Sequence, residues 1–208
     1  MMHSRYHSLS PPLAALALLA LSFNCALAQS PPSSRVRGTI EAVDGDILAV
    51  KARSGDEVRL RMASDLRVAG IAAIPLSEIK AGSFIGVTTV PGPDGSHDAI
   101  EVHVFPESMR GTGEGSRPYD LRPNSTMTNA TVDQSVVSND GYRLLVKYKG
   151  GEKTVTVTPQ TVLVTYVPAE KSDLKPGAKI IAFAKKLPDG SFETSRISVG
   201  RDGITPPM

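Results

Sequence analysis

Three side chains near the middle of the chain have the types and spacing to hold a metal ion. His97, Glu101 and His103 fall on odd positions of a run that alternates polar and apolar residues. Successive side chains of an extended strand point to opposite faces. These three therefore share a face with Ala99, and Ile100, Val102 and Val104 take the other. Glu101 and His103 then stand about 7 Å apart along the strand. Imidazole nitrogens and carboxylate oxygens are ligands that zinc accepts. The same alternation equally describes a solvated polar face, and the run lacks the H-E-x-x-H spacing of a helical zinc site.

A second set lies in residues 106–127, where Arg110, Glu114, Arg117, Tyr119 and Asp120 are interleaved with Gly and Pro. Arginine forks grip anions with two parallel hydrogen bonds, and a tyrosine ring offers a stacking face. Structureless segments longer than about 12–15 residues are often functional. The alternative is a connector whose arginines and acids pair with each other. Gly111-x-Gly113-x-Gly115 lacks the Gly-Lys-Ser/Thr ending and the following helix of a phosphate loop.

Nothing else in the sequence points to catalysis. No Ser sits in a G-x-S-x-G turn, so an envelope hydrolase has no motif behind it. The acid pairs Asp44/Asp46 and Asp94/Asp98 flank turns, where Asp is favoured for backbone reasons. The chain reads as a non-enzyme without a cofactor.

Its first 28 residues read as a cleavable export signal. Arg5 is followed by an apolar run from Leu13 to Phe23 and by Ala26-Leu27-Ala28, which places the cut after Ala28. Eleven residues are too few to span a bilayer, which needs about 20. The sequence has one cysteine, Cys25, and it leaves with the signal. What remains carries 22 basic and 21 acidic residues and has neither thiol nor long apolar run. Disulfides, thiolate metal sites and a helical membrane span drop out on those grounds. No basic stripe with interleaved aromatics marks a nucleic-acid binder. The expected location is the periplasm or beyond, and the expected partner is an envelope protein or a small ligand.

The elements that must position these side chains come as a duplication. Val50 precedes Val146 by 96 residues, Val58 precedes Val155 by 97, and Gly82 and Gly95 precede Gly177 and Gly190 by 95. Alternation predicts strands over 36–43, 46–53, 57–62, 83–90 and 97–104, and again over 128–137, 142–149, 152–158, 178–186 and 191–199. Short extended pieces follow near 66–69 and 161–166. Asp44-Gly45, Asp94-Gly95 and Asp189-Gly190 mark tight hairpins. Single helical turns at Leu76–Lys80 and Ser172–Lys175 stop at Gly82 and Pro176-Gly177. Val58, Leu60 and Met62 face a core with Arg59 and Arg61 outside; Val155 and Val157 face in with Thr154 and Thr156 outside.

Five strands with a helical turn between the third and fourth match a small OB-like barrel. The expected fold is all-β: two tandem five-stranded OB-like barrels over 29–105 and 128–200. The 106–127 insert joins them and a tail follows over 201–208. A small two-sheet sandwich also fits. Gly38-Thr39-Ile40-Glu41-Ala42-Val43 and Leu76-Ser77-Glu78-Ile79-Lys80-Ala81-Gly82 resemble the punctuation of exported bacterial proteins built of tandem small β-barrel domains of unknown function. The second repeat departs at Ala130-Thr131-Val132, where the glycine is missing. That resemblance implies an exported, non-catalytic binding or structural protein, with a metal-binding accessory as the second reading.

Overall fold

The computed structural model describes residues 1–2, 34–92, 95–138 and 141–207. The expected export signal, its cleavage site and Asp94 of the Asp94-Gly95 turn lie outside the described residues. From Ser34 onward the chain is all-β. Its strands are β1 (Ser34–Asp44), β2 (Ile47–Ala52), β3 (Glu57–Ala73), β4 (Phe84–Pro91), β5 (His97–Val104) and β6 (Gly115–Pro118) in the first half. The second half contributes β7 (Thr126–Ser138), β8 (Gly141–Tyr148), β9 (Gly151–Val157), β10 (Val162–Pro168), β11 (Lys179–Lys186) and β12 (Phe192–Gly200). Single 3-10 turns at Leu76–Glu78 and Lys171–Asp173 fall where the helical turns were expected. Among the described residues, no helix is long and apolar enough to cross a membrane.

Local signals act as the residue types dictate. Gly45 takes φ 57°, which the Asp44-Gly45 turn requires, and β1 folds back on β2 with Asp44 opposite Ile47. Leu48, Val50, Leu60 and Met62 are buried, and the arginines at 59 and 61 are exposed. Gly38 is needed for a different reason. A side chain there would meet the Lys51 carbonyl oxygen at 2.3 Å, so only glycine lets β1 pass β2 so closely.

The pairing differs from two sequential barrels. β1 pairs with β2 and β2 with β3, but the ring closes through the second repeat: β1 pairs with β11, β11 with β12, and β12 runs parallel to β3. The first repeat supplies three strands of this closed five-stranded barrel and the second repeat two. The converse holds on the other side. β4 and β5 leave their own repeat and pair with β7, β8 and β9, in a second ring that meets at Asp98 opposite Thr156. β10 joins the two by pairing antiparallel with β3 and parallel with β5.

The cause is visible in β3. Between Met62 and Leu66 the sequence Ala63-Ser64-Asp65 has no Gly or Pro to turn the chain. The strand bends but runs on to Ala73, past its own barrel, and delivers β4 to the other one. Closing a ring with a strand from the other copy satisfies the same hydrogen bonds, which is the logic of a domain swap. Both cores are therefore shared. One packs Ile40, Leu48, Val50 and Leu60 against Ile180, Ala182, Ile197 and Val199. The other packs Ile85, Val87 and Val102 against Val132, Leu144, Val146 and Val155.

Two outcomes follow from the exchange. A chain cut once at an engineered protease site within 110–114 stays together on native size-exclusion chromatography. Segment 34–105 expressed alone shows no cooperative thermal unfolding. Sequential barrels would let that segment melt cooperatively by itself. Ile197→Ala, which empties a fully buried position in the core that also holds Leu48 and Leu60, destabilises the whole chain by about 2–5 kcal/mol in urea unfolding.

Candidate functional site

β5 carries the residues expected to bind metal, and a bulge separates them. Thr88 stands opposite Glu101 but Thr89 stands opposite Ala99, so Ile100 is the extra residue. The bulge reverses the facing of everything before it. Ala99, expected beside the polar three, is instead buried in the second core with Val102. His97 shares the face of Ala99 and lines an open hollow with Arg143, Glu152 and Lys153. Partial burial, and then the charge of Lys153, lower its basicity. Glu101 and His103 remain together on the other face, both fully buried. No group of three or more His, Cys, Asp or Glu close enough to hold a metal ion occurs among the described residues.

Glu101 and His103 approach to 3.9 Å, Oε1 to Nδ1. That is too far for a hydrogen bond, and it is not an ion pair at neutral pH. Burial pushes the Glu101 carboxyl up to about 8, against a weaker opposite pull from a hydrogen bond donated by Thr88. Burial pushes the His103 imidazole down to about 3. Both groups are neutral at pH 7 because transfer of either charge from water costs more than the pair returns. Tyr166 lies over His103 with ring centroids 4.0 Å apart, and Phe105 stacks at 5.2 Å. Pro206 of the C-terminal tail closes over the same spot.

Above this floor lies a cleft of about 360 Å³. The closed barrel contributes Arg35 and Phe183 from β1 and β11, Arg67 and Ala69 from β3, and Arg196 and Ser198 from β12. The opposite wall is Phe105, Met127 and Asn129, with Met109, Thr112, Arg117 and Tyr119 from the insert and Tyr166 from β10. Four arginines line the space, and no acid does.

The insert residues divide between two jobs. Arg110 pairs with Glu107 and donates to the Gly82 carbonyl at 2.8 Å. Glu114 accepts the Lys149 backbone N–H at 3.0 Å. Asp120 bridges Arg35 and Arg37 at 3.2 and 2.9 Å. The hydrogen bond from Arg37, more than any other influence, holds the Asp120 carboxyl below its ordinary range. These three behave as the connector reading expects. Arg117 and Tyr119 do not: they face the cleft. Arg117 donates to the Gly113 carbonyl and has no salt bridge to a described residue.

Sequence reasoning missed Arg35, Arg67, Phe105, Asn129, Tyr166, Phe183 and Arg196. One signal was present. Arg196 and Ser198 alternate with buried Ile197 and Val199 and occupy the repeat positions of Glu101 and His103. Both pairs lie on the outer faces of their rings, so the duplication itself aligns them across the junction. Compared with family models, curated proteins and solved structures, the chain matches none.

The two buried groups impose a shape on stability against pH. Glu101 keeps its proton in the fold above the ordinary carboxyl value of about 4.3, so its contribution is full below that value and is lost as pH rises toward about 8. His103 stays unprotonated below the ordinary imidazole value of about 6.5, so its contribution is full above that value and is lost as pH falls toward about 3. The two slopes cancel between roughly pH 4.5 and 6.5. Thermal unfolding should show a plateau there and a falling limb of about 1.4 kcal/mol per pH unit above it. Glu101→Gln keeps the Thr88 contact and removes that limb. A limb unchanged in the variant would assign it elsewhere.

Proposed function

We propose that the chain is an exported, non-catalytic binding protein: two OB-like barrel units, interleaved, whose junction takes a small anionic ligand. Export rests on the order of charge, apolar run and A-x-A site in the first 28 residues. The resemblance to exported β-barrel repeats points the same way. Binding is supported by the cleft itself, which four arginines line together with Phe105, Met109, Met127 and Tyr166.

One observation carries the anion. Arg67 and Arg196 are direct neighbours on paired strands. Paired strands run about 5 Å apart, so two like-charged side chains rise from one rung of the sheet. Neither forms a salt bridge to a described residue, and both are exposed toward the cleft. Such a pair costs stability while the cleft is empty and returns it when an anion sits between the forks. The metal-binding reading has no comparable support, because β5 splits its three residues.

Three expectations follow. In low salt, Arg67→Gln raises the melting temperature of the unliganded protein, by the equivalent of about 0.2–1 kcal/mol, because it removes the repulsion. A thermal-shift panel of small carboxylates, sulfonates and phosphates contains at least one anion that stabilises the wild type saturably. That stabilisation disappears in Arg67→Gln with Arg196→Gln. A panel without effect, or an effect the double variant keeps, contradicts the proposal. N-terminal sequencing of the periplasmic protein should begin at Gln29.

A further inference from the structure

The geometry points to a ligand class: we infer that the cleft takes a planar aromatic anion, a ring system bearing a carboxylate or sulfonate, in preference to a bare inorganic anion. This rests on the reading of the cleft as an anion site and adds what the anion must carry.

The arginines are held by rings. The Arg196 guanidinium carbon lies 3.9 Å from the Phe183 centroid, and that of Arg35 lies 4.8 Å from the Tyr119 centroid. A guanidinium laid on a ring face keeps its N–H groups in its own plane, directed sideways. The donors of Arg196 therefore run along the cleft wall, where a carboxylate meets them edge-on and accepts two parallel bonds. Arg67, directly opposite on the paired strand, adds the second positive charge.

Opposite Arg35, Arg67 and Arg196 the wall changes character. Phe105, Met109, Met127 and Tyr166 supply apolar surface there, beside Arg117. Methionine sulfur and aromatic faces both favour the edge and face of a flat ring. A hydrated inorganic anion would reach the arginines and leave this side in contact with water. A flat body with its acid at one end satisfies both walls. About 360 Å³ is near the small end of ligand pockets and suits roughly one or two fused rings. Asn129 ties the insert to this wall: it lines the cleft and donates through Nδ2 to the Thr112 carbonyl at 2.9 Å.

Titration calorimetry of the full chain with naphthalene-2-carboxylate tests this. The expected result is saturable one-to-one binding, at least tenfold weaker in Arg196→Gln and in Arg67→Gln. Naphthalene-2-methanol, the same ring without charge, should bind at least tenfold more weakly. Inorganic phosphate and acetate should fail to displace the probe at equal concentration. Both arginines are exposed, so circular dichroism should show unchanged folding, and either variant suffices if the other misfolds. Phosphate or acetate that competes equally, with binding still lost in the arginine variants, overturns the aromatic requirement and leaves the anion site standing. Naphthoate binding that ignores both arginines, or no binding by any probe, overturns both.

Discussion

Neither repeat of this chain closes a barrel from its own strands. The first three strands of each leave two open edges, and unpaired backbone N–H and C=O groups on those edges must find partners. The other repeat supplies them. β11 and β12 complete the ring begun by β1, β2 and β3, while β4 and β5 pair into the sheet of β7, β8 and β9. Everything else follows from that reciprocity. The crossing segments β3 and β10 must run side by side between the rings, and they pair from Ala69 opposite Pro168 to Ala73 opposite Val164. The outer faces of β5 and β12 are thereby turned toward one junction, and the junction holds the cleft.

Charge is distributed across the junction by depth. At the bottom, Glu101 and His103 are fully buried and neutral. At the rim, Arg35, Arg67, Arg117 and Arg196 line the cleft and are exposed to water. Asp120 in the insert pairs with Arg35 and Arg37 on β1, which ties the loop from the second ring onto the closed barrel. An exposed pair of this kind contributes little stability alone. Its effect is positional: it sets Tyr119 at the edge of the cleft, under Arg35. Arg67, Arg117 and Arg196 are left without salt bridges to described residues, so the junction keeps a net positive charge.

Much of the fold was legible because it is written in local periodicity. The strand positions, the Asp44-Gly45 turn, the helical turns before Gly82 and Gly177, and the buried faces at Leu60 and Val155 all depend on neighbours within a few residues. The exchange was not legible, since β11 and β4 carry the same pattern and either would complete the ring after β1. Only the missing turn at Ala63-Ser64-Asp65 hinted at it. The facing of His97 and Ala99 was not legible for a similar reason. One extra residue, Ile100, reverses a strand face, and alternation carries no mark of a bulge. Arg117 and Tyr119 stand out in the sequence because their loop is compositionally odd, and both line the cleft. Arg67 and Arg196 were not, because outward arginines on strands are ordinary until a second surface is laid against them.

The exchanged pairing is most directly tested by nuclear Overhauser contacts across β1 in the isotope-labelled chain. Exchange puts Val36 opposite Ala182 and Gly38 opposite Ile180, so strong cross-strand backbone contacts should join residues of the two repeats. Contacts from Gly38 to Ile85 of β4 in their place would mean that each repeat closes on itself. The junction, and the cleft built on it, would then have no basis.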